Sequence, residues 1–280
     1  MENNSIRCRL TKEDIVSEIK LLIGSDLKKE LTFIIVEGLD DIKFWKKFIT
    51  NKAFIYESFS AKTGIKEIIE TYFDDNPQVI GIRDKDYEQT RVHPKIFYYD
   101  YSCLELMLVN NFPTFEGIYS EYYNGPLNAY NLRETILSEL KFLSLVRKNN
   151  EINHWGITID CISIYKVFDN ASYKIIIDRI IEKLNAVNHN FFINFSDRLT
   201  LIYNEFDIDF TYTDLLNITQ GHDYVSLFAA FCQNSIGKCY SDTAISCSLR
   251  SSYRIGDFYN SNLYNELKIY EINNSLNILE

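Results

Sequence analysis

The chain has 280 residues, of which 46% are hydrophobic and 24% are charged, and it contains only 4 prolines and 10 glycines. This composition is typical of a globular protein with one large or two modest domains, and it argues against long disordered linkers. The formal net charge of −10 means that the protein repels phosphate on average, so binding of a nucleic acid requires a local basic patch and a bound metal ion.

Cysteine usage and hydropathy indicate a cytoplasmic protein. The six cysteines are scattered through the chain without a CxxC pair, at Cys8, Cys103, Cys161, Cys232, Cys239 and Cys247. This spacing predicts reduced thiols and not a disulfide framework or a zinc site. No apolar run approaches the roughly 20 residues that a membrane span requires, and residues 1–5 show no signal-peptide pattern.

The first hundred residues alternate between helix and strand patterns. Helices are predicted at residues 11–24, with Thr11 as N-cap, and at 42–49 and 65–73; strands are predicted at 33–36, 53–57, 78–83 and 95–99. The order βαβαβ-loop-β, with connections long enough for right-handed crossovers, predicts a small and mainly parallel sheet. If the second and third strands lie on opposite sides of the first, the carboxyl end of the first strand is a topological switch point, where such sheets build their sites.

The remainder of the chain is predicted to be mainly helical. Helices are expected at residues 104–110, 132–146, 173–187, 213–218, 224–233, 243–251 and 259–270, with short strand-like runs at 156–163 and 191–195. We therefore expect an N-terminal helix at 1–29 packed on the sheet, an α/β domain at 30–110 and a mainly α-helical region at 111–280.

Carboxylates follow three of the predicted strands, in the pairs Glu37 and Asp41, Asp84 and Asp86, and Asp100 and Glu105. In a parallel sheet these groups gather at one edge, where two carboxylates about 5 Å apart repel by roughly 3 kcal/mol at an effective dielectric constant near 20. Either some of them are protonated or a cation lies among them. Oxygen ligands without a nearby His or Cys favour Mg²⁺ or Mn²⁺. Carboxylate-held divalent metals serve phosphoryl transfer.

Structural explanations exist for each acid taken alone. Because side chains alternate along an extended strand, Asp84 and Asp86 are expected to point the same way, but a DxD segment is also typical of a turn. An acid in the first turn of a helix interacts favourably with the helix dipole; we expect Asp40 to cap the helix and Asp41 to be the ligand. Residues 102–105 fit a capping box, which would give Glu105 a structural role.

The segments IIVEGLDD at residues 34–41 and IGIRDKD at 80–86 resemble the Toprim domain, the metal-binding α/β module of topoisomerases, primases and OLD nucleases. The similarity extends over about residues 30–110. An aromatic strand and a glutamate-bearing helix at 97–107, and a Gly-His-Asp element at 221–223, resemble the branch that includes the Toprim effector of PARIS phage-defence systems. The resemblance implies a Rossmann-like Toprim fold with a mainly parallel four-stranded sheet.

The resemblance also implies roles for individual residues. Glu37 matches the Toprim glutamate, as metal ligand or acid/base, Asp41 a second-site ligand, and Asp84 and Asp86 the metal-binding DxD. Glu105 matches the downstream acid of the branch, although Cys103 stands where an acidic or polar residue is expected. His222 would shuttle a proton or contact phosphate in catalysis; its alternative role is that of a hydrogen-bonded histidine at a helix start.

The function implied by the resemblance is that of a Mg²⁺- or Mn²⁺-dependent endonuclease in phage defence. We expect an RNA substrate, tRNA before DNA, and an ABC-type ATPase partner, since the sequence contains no Walker A motif. The resemblance also allows a homodimer in the active state. Among the basic residues near the acidic edge, Lys62, Arg83 and Lys85 are candidates for contacts with nucleic acid. The alternatives are an OLD-like DNA endonuclease and a regulatory subunit of an ATPase complex with little activity alone.

Overall fold

The computed structural model describes residues 11–236 and 240–280. The chain forms two compact units: one contains the residues up to Asp100 together with Arg254–Glu280, and the other contains Tyr101–Tyr253. No helix in the described part of the chain is both long enough and apolar enough to cross a membrane.

The first unit is built on a four-stranded sheet in which all strands are parallel. Its strands are β1 Thr32–Val36, β2 Ala53–Glu57, β3 Val79–Arg83 and β4 Ile96–Tyr98, in the order β2-β1-β3-β4. All five residues of β1 are buried, as expected for a central strand covered on both faces. The predicted α/β class and parallel sheet are confirmed. Because β2 and β3 flank β1 on opposite sides, the predicted switch point at the end of β1 is also confirmed.

Helix α1 Lys12–Ser25 precedes β1, α2 Leu39–Trp45 connects β1 to β2, and α3 Ala61–Glu67 connects β2 to β3, continuing as a π-helical turn over Ile68–Tyr72. Helix α1 begins as predicted at Thr11, whose hydroxyl oxygen accepts the N–H of Asp14 while the Asp14 carboxylate accepts the N–H of Thr11. Its apolar face enters the core formed by β1 and α3, which includes Ile19, Phe33 and Ile65.

The second unit is helical. Its helices are α4 Leu104–Asn110, α5 Phe112–Tyr122, α6 Ala129–Ile152, α7 Ile164–Val167, α8 Ile177–Val187, α9 Phe191–Asn194, α10 Ser196–Phe206, α11 Tyr212–Ile218, α12 Gly221–Ile236 and α13 Asp242–Ser252. Two short strands, β5 Phe168–Asp169 and β6 Lys174–Ile175, pair antiparallel and delay the start of the helix predicted at 173. Four cysteines carry free thiols, at Cys103, Cys161, Cys232 and Cys247, whereas Cys8 and Cys239 lie outside the described residues.

The two strand-like runs predicted in this unit are wrong. Residues 156–163 form no strand, and residues 191–194 form helix α9. The rings of Phe191 and Phe192 pack against Trp155, and the N–H of Phe192 binds the Asn185 side chain. Phe191 and Phe192 are therefore buried by aromatic packing on a helix, which needs no strand partner, and the periodicity of a short apolar run does not distinguish helix from strand.

The end of the chain returns to the sheet unit, which the sequence does not predict. Helices α14 Ile255–Phe258 and α15 Asn262–Asn274 follow α13, and Phe258 packs edge-on against Phe44 and Trp45 of α2. The predicted domain boundaries after residues 29 and 110 stay a prediction.

Asp100, one of the predicted strand-end acids, fixes the start of α15. Its two carboxylate oxygens accept the N–H groups of Asn262 and Leu263, each at 2.9 Å. The Ser261 hydroxyl accepts the third N–H, that of Tyr264, at 3.0 Å. Asp100 is therefore a capping group that ties the end of β4 to the last helix.

Replacement of Asp100 by Ala should lower the free energy of unfolding by about 1–3 kcal/mol, because it leaves two helix N–H groups without their acceptor. Urea unfolding of the two proteins measures this difference. Asp40→Ala is the matched control, since Asp40 is about half exposed and pairs at the surface with Lys43. Equal stability of the Asp100 and Asp40 variants would contradict the capping role.

Candidate functional site

Glu37 directly follows β1 and lies at the switch point of the sheet. Its Oε1 atom accepts the N–H of Asp84 at 2.9 Å, so the side chain spans from the end of β1 to the end of the neighbouring strand β3. Gly38 follows in an extended conformation and serves as the N-cap of α2. The chain order strand, acid, glycine and helix therefore places one mostly buried carboxyl group between two central strands.

The pKa of Glu37 is raised from its ordinary value of 4.5 to about 7. Burial is the largest cause, and the negative charges of Asp41 and Asp86 add to it, whereas the Asp84 N–H and the charge of Arg83 act in the opposite direction. The structure thus brings Glu37, Asp41 and Asp86 close enough together for their charges to interact. Near neutral pH, Glu37 exists as a mixture of protonated and ionised forms.

Asp41 is held by donors on both of its carboxylate oxygens. Oδ2 accepts the N–H of Gly38 at 3.0 Å, and Oδ1 accepts the hydroxyl of Tyr99 at 2.6 Å. Tyr99 accepts in turn from the indole N–H of Trp45 at 2.9 Å, and its burial keeps the pKa of the phenol well above the ordinary value. The expectation that Asp40 caps α2 is wrong, because Asp41 takes the Gly38 N–H and Asp40 pairs with Lys43.

Asp84 and Asp86 lie beyond the end of β3, which stops at Arg83. Asp86 has a φ angle of 50°, in the left-handed region that asparagine and aspartate tolerate in turns. A turn follows the strand, in which the Lys85 carbonyl accepts the N–H of Glu88 at 3.1 Å, and the expectation that the two side chains point the same way stays a prediction. The Nζ atom of Lys62 lies 2.9 Å from Asp86 Oδ2, so this predicted nucleic-acid contact forms an ion pair within the acidic site.

Arg83 is 3% exposed and forms an ion pair with Glu88. The other carboxylate oxygen of Glu88 accepts the hydroxyl of Tyr98, and the guanidinium of Arg83 lies 5.3 Å from the centre of the Tyr98 ring. In this structure Arg83 stabilises the loop after β3 and does not present its guanidinium at the surface. Lys85, the third predicted contact, is partly buried in the same turn.

Among residues 11–236 and 240–280, no three His, Cys, Asp or Glu side chains converge closely enough to hold a metal ion. The hydrogen bonds explain this arrangement, since Glu37, Asp41 and Asp86 each direct an oxygen toward a protein donor. The chemistry of the donor set nevertheless fits a hard divalent cation, because it is entirely carboxylate and its members repel one another. Side-chain rotations and displacement of Lys62 from Asp86 would be needed to form a coordination sphere.

Glu105 and the Gly-His-Asp element belong to the second unit. Glu105 lies in the first turn of α4, where Cys103 is the N-cap without a side-chain cap bond, so the capping box predicted at 102–105 is not formed. Instead, Ser102 donates its hydroxyl to the carbonyl of Thr219 at 2.5 Å. The Glu105 carboxylate packs against Gly221. The predicted role of Glu105 as a metal ligand stays a prediction.

His222 and Asp223 open helix α12 and meet an arginine that the sequence reasoning did not assign to a site. The Arg147 guanidinium binds Asp223 through two bonds, of 2.7 Å from Nε and 3.1 Å from Nη2. Its Nη2 atom also lies 3.4 Å from Nε2 of His222, whose side chain is 64% exposed. His222 is therefore accessible and its ring is placed by a buried ion pair, while its catalytic role stays a prediction. The only signal for Arg147 in the sequence is the short basic pair at 147–148.

A scan against protein-family models finds no match for this chain, and a search of curated proteins finds no relative. The Toprim resemblance therefore rests on the motif residues and on the parallel sheet that carries them.

Replacement of Glu37 by Gln should change how stability depends on pH. The pKa of Glu37 is about 7 in the folded protein, above its ordinary value of 4.5. The contribution of the Glu37 carboxyl group to the free energy of unfolding is therefore fully present below pH 4.5 and is lost as the pH rises through 7. The resulting decrease in the free energy of unfolding reaches about 3 kcal/mol at most. Urea unfolding without divalent cations should show that Glu37→Gln gains stability over wild type at pH 8.5 but not at pH 4. Parallel pH profiles for the two proteins would contradict the raised pKa.

Replacement of Gly221 by Ala should destabilise the second unit by about 1–3 kcal/mol, because the added methyl group would overlap the Glu105 carboxylate and approach Cys103 Sγ to 2.8 Å. Gly256→Ala is the matched control, because a methyl group there meets no atom within 4 Å. Thermal unfolding compares the two variants, which share the gain in helix propensity. A Gly221 variant as stable as the control would show that Glu105 is not held against this helix.

Proposed function

We propose that this chain is a divalent-metal-dependent phosphodiesterase of the Toprim type that cleaves nucleic acid. The observation that carries this proposal is the mostly buried Glu37 at the switch point of a parallel sheet, with Asp41 and Asp86 close enough to raise its pKa. Burying one carboxyl group beside two others lowers the free energy of unfolding, so the arrangement is unfavourable if its role is only structural. The cost is explained if the cluster serves to bind a cation and to exchange a proton near neutral pH.

Glu37, Asp41, Asp84 and Asp86 are the residues that would hold Mg²⁺ or Mn²⁺. Such an ion, when bound, would polarise a phosphate and increase the acidity of a water molecule. Glu37 can take up or release a proton at its carboxylate near pH 7, which suits a general base. The hydroxyl of Tyr99 and the N–H of Gly38 each donate to one carboxylate oxygen of Asp41. These two bonds would hold the Asp41 carboxylate in one orientation when a cation binds.

For the substrate we propose RNA, with tRNA as the preferred class, and for the biological role a phage-defence effector. This part of the proposal is supported by the motif resemblance at 34–41, 80–86, 97–107 and 221–223. The same resemblance supports an ABC-type ATPase partner, which would supply the nucleotide hydrolysis for which this chain has no Walker A motif.

A second candidate is a subunit that stays inactive until a partner acts on it. The hydrogen bonds of the acidic site favour this candidate, because Lys62 neutralises Asp86 and the carboxylates are directed toward protein donors. Activation would then consist of releasing these oxygens for a cation. The two candidates differ in whether the chain cleaves nucleic acid alone.

Cleavage of total tRNA and of plasmid DNA, each with Mg²⁺ or with EDTA, tests the proposal. We expect tRNA cleavage with Mg²⁺ that EDTA abolishes and that Glu37→Gln lowers by at least about 100-fold, because the variant has no carboxylate to take up a proton or bind the ion. Asp40→Asn is the matched control and should retain activity, since Asp40 pairs at the surface with Lys43.

Full activity of Glu37→Gln would overturn the mechanism, and cleavage of plasmid DNA alone would replace the RNA substrate by DNA. If neither substrate is cut, the assay is repeated with an ABC-type ATPase encoded beside this chain. Cleavage only in its presence would support the second candidate.

A further inference from the structure

Two of the three basic side chains predicted to contact nucleic acid near the acidic site are engaged in ion pairs. Lys62 forms an ion pair with Asp86, and the buried Arg83 forms one with Glu88. A chain with a net charge of −10 needs a local positive surface to hold a polyanion. If this protein binds nucleic acid, cations elsewhere in the described structure must contribute.

One cavity of the second unit supplies such cations. It has a volume of about 330 Å³ and is lined by α8 and by residues at and before α7. We call it the basic pocket, and its charged and reactive lining residues are Lys166, Arg179, Lys183, Glu182 and Cys161. Three cations and one carboxylate give it a formal charge of +2.

The three cations of the basic pocket are exposed, and none forms a salt bridge with a residue in 11–236 or 240–280, although the charge of Arg179 contributes to lowering the pKa of the nearby Asp169. Two other basic residues of this unit are paired, Lys148 with Glu205 and Arg147 with Asp223. Arg179 and Lys183 are four residues apart on one face of α8, where like charges destabilise a helix by a few tenths of a kcal/mol. The helix therefore places two cations at neighbouring positions on the lining of one cavity, with the single carboxylate of Glu182 beside them.

The lining of the basic pocket indicates which part of a ligand it accepts. No aromatic side chain among the described residues lines the cavity, so the described lining offers no ring on which a base can stack. The guanidinium of Arg179 and the ammonium groups of two lysines suit phosphate oxygens. The exposure of all three cations suits a phosphate that belongs to a passing strand, because a free nucleotide would need an enclosed site for its base.

We infer that the basic pocket binds backbone phosphate of the RNA substrate. This inference rests on the proposed function, to which it adds a substrate contact in the second unit. The pocket would add affinity without sequence preference, as phosphate contacts do.

Binding of fluorescently labelled tRNA, measured by anisotropy in EDTA with the full-length Glu37→Gln protein, tests the inference without cleavage. Adding Arg179→Glu and Lys183→Glu should weaken binding by at least about tenfold and reduce the slope of log affinity against log salt by roughly 1.5. The matched control adds Lys28→Glu and Lys174→Glu, the same charge change at two exposed lysines outside the pocket, and should bind within about twofold of the parent. Equal weakening by the two pairs would overturn the inference, since it would show an effect of net charge alone.

Cys161 provides a second readout inside the basic pocket. Its thiol is free and partly buried, while the free thiol of Cys247 is exposed elsewhere in the same unit and serves as an internal reference. Bound tRNA should slow alkylation of Cys161 several-fold relative to Cys247, as followed by peptide mass spectrometry. An unchanged ratio of the two rates would overturn the inference.

A third arm replaces tRNA by inorganic phosphate or pyrophosphate at the same phosphate concentration. Protection of Cys161 by these ions, with none by tRNA, would identify a small phosphate compound as the occupant and overturn the RNA assignment. Failure of the proposed function is seen separately, as absence of metal-dependent cleavage by the wild-type chain. The effect of the pocket substitutions on tRNA binding is measured without cleavage, so this result is independent of whether the wild-type chain cleaves.

Discussion

The carboxyl group of Glu37, placed between the ends of β1 and β3, is the constraint on which the acidic site depends. The parallel order of the strands brings it there, and its bond to the N–H of Asp84 joins the two strand ends. Burial and the neighbouring charges of Asp41 and Asp86 oppose its ionisation. Without a cation, the site lowers this repulsion through protonation of Glu37 and the ion pair of Lys62 with Asp86.

Support from outside the site keeps these acids in place. The buried hydroxyl of Tyr99, at the end of β4, links the indole of Trp45 to the carboxylate of Asp41. Trp45 packs against Phe258 of the C-terminal segment, and Asp100 fixes the helix that follows. The residues after Arg254 therefore belong to the sheet unit, and they complete the packing behind the site.

Much of the sheet is predictable from the sequence because its signals are local. Each strand is a short apolar run with clear end signals, so the four strands and their parallel direction follow from periodicity and connection lengths. The strand order that makes the end of β1 a switch point is only a condition at the level of sequence, and the structure fulfils it. The site is predictable only at the level of residue type. The left-handed turn at Asp86, the ion pair that buries Arg83 and the bond from Arg147 to Asp223 depend on tertiary contacts that no local pattern encodes. The short apolar runs near Trp155 are misread for the same reason.

Direct titration with Mn²⁺, followed by the electron paramagnetic resonance signal of the free ion, tests the central claim that the acids around Glu37 form a divalent-cation site. The wild-type protein should remove Mn²⁺ from solution stoichiometrically, Mg²⁺ should compete, and Glu37→Gln should lose this binding while Asp40→Asn keeps it. Equal Mn²⁺ binding by wild type and Glu37→Gln, or none by wild type, would contradict the account.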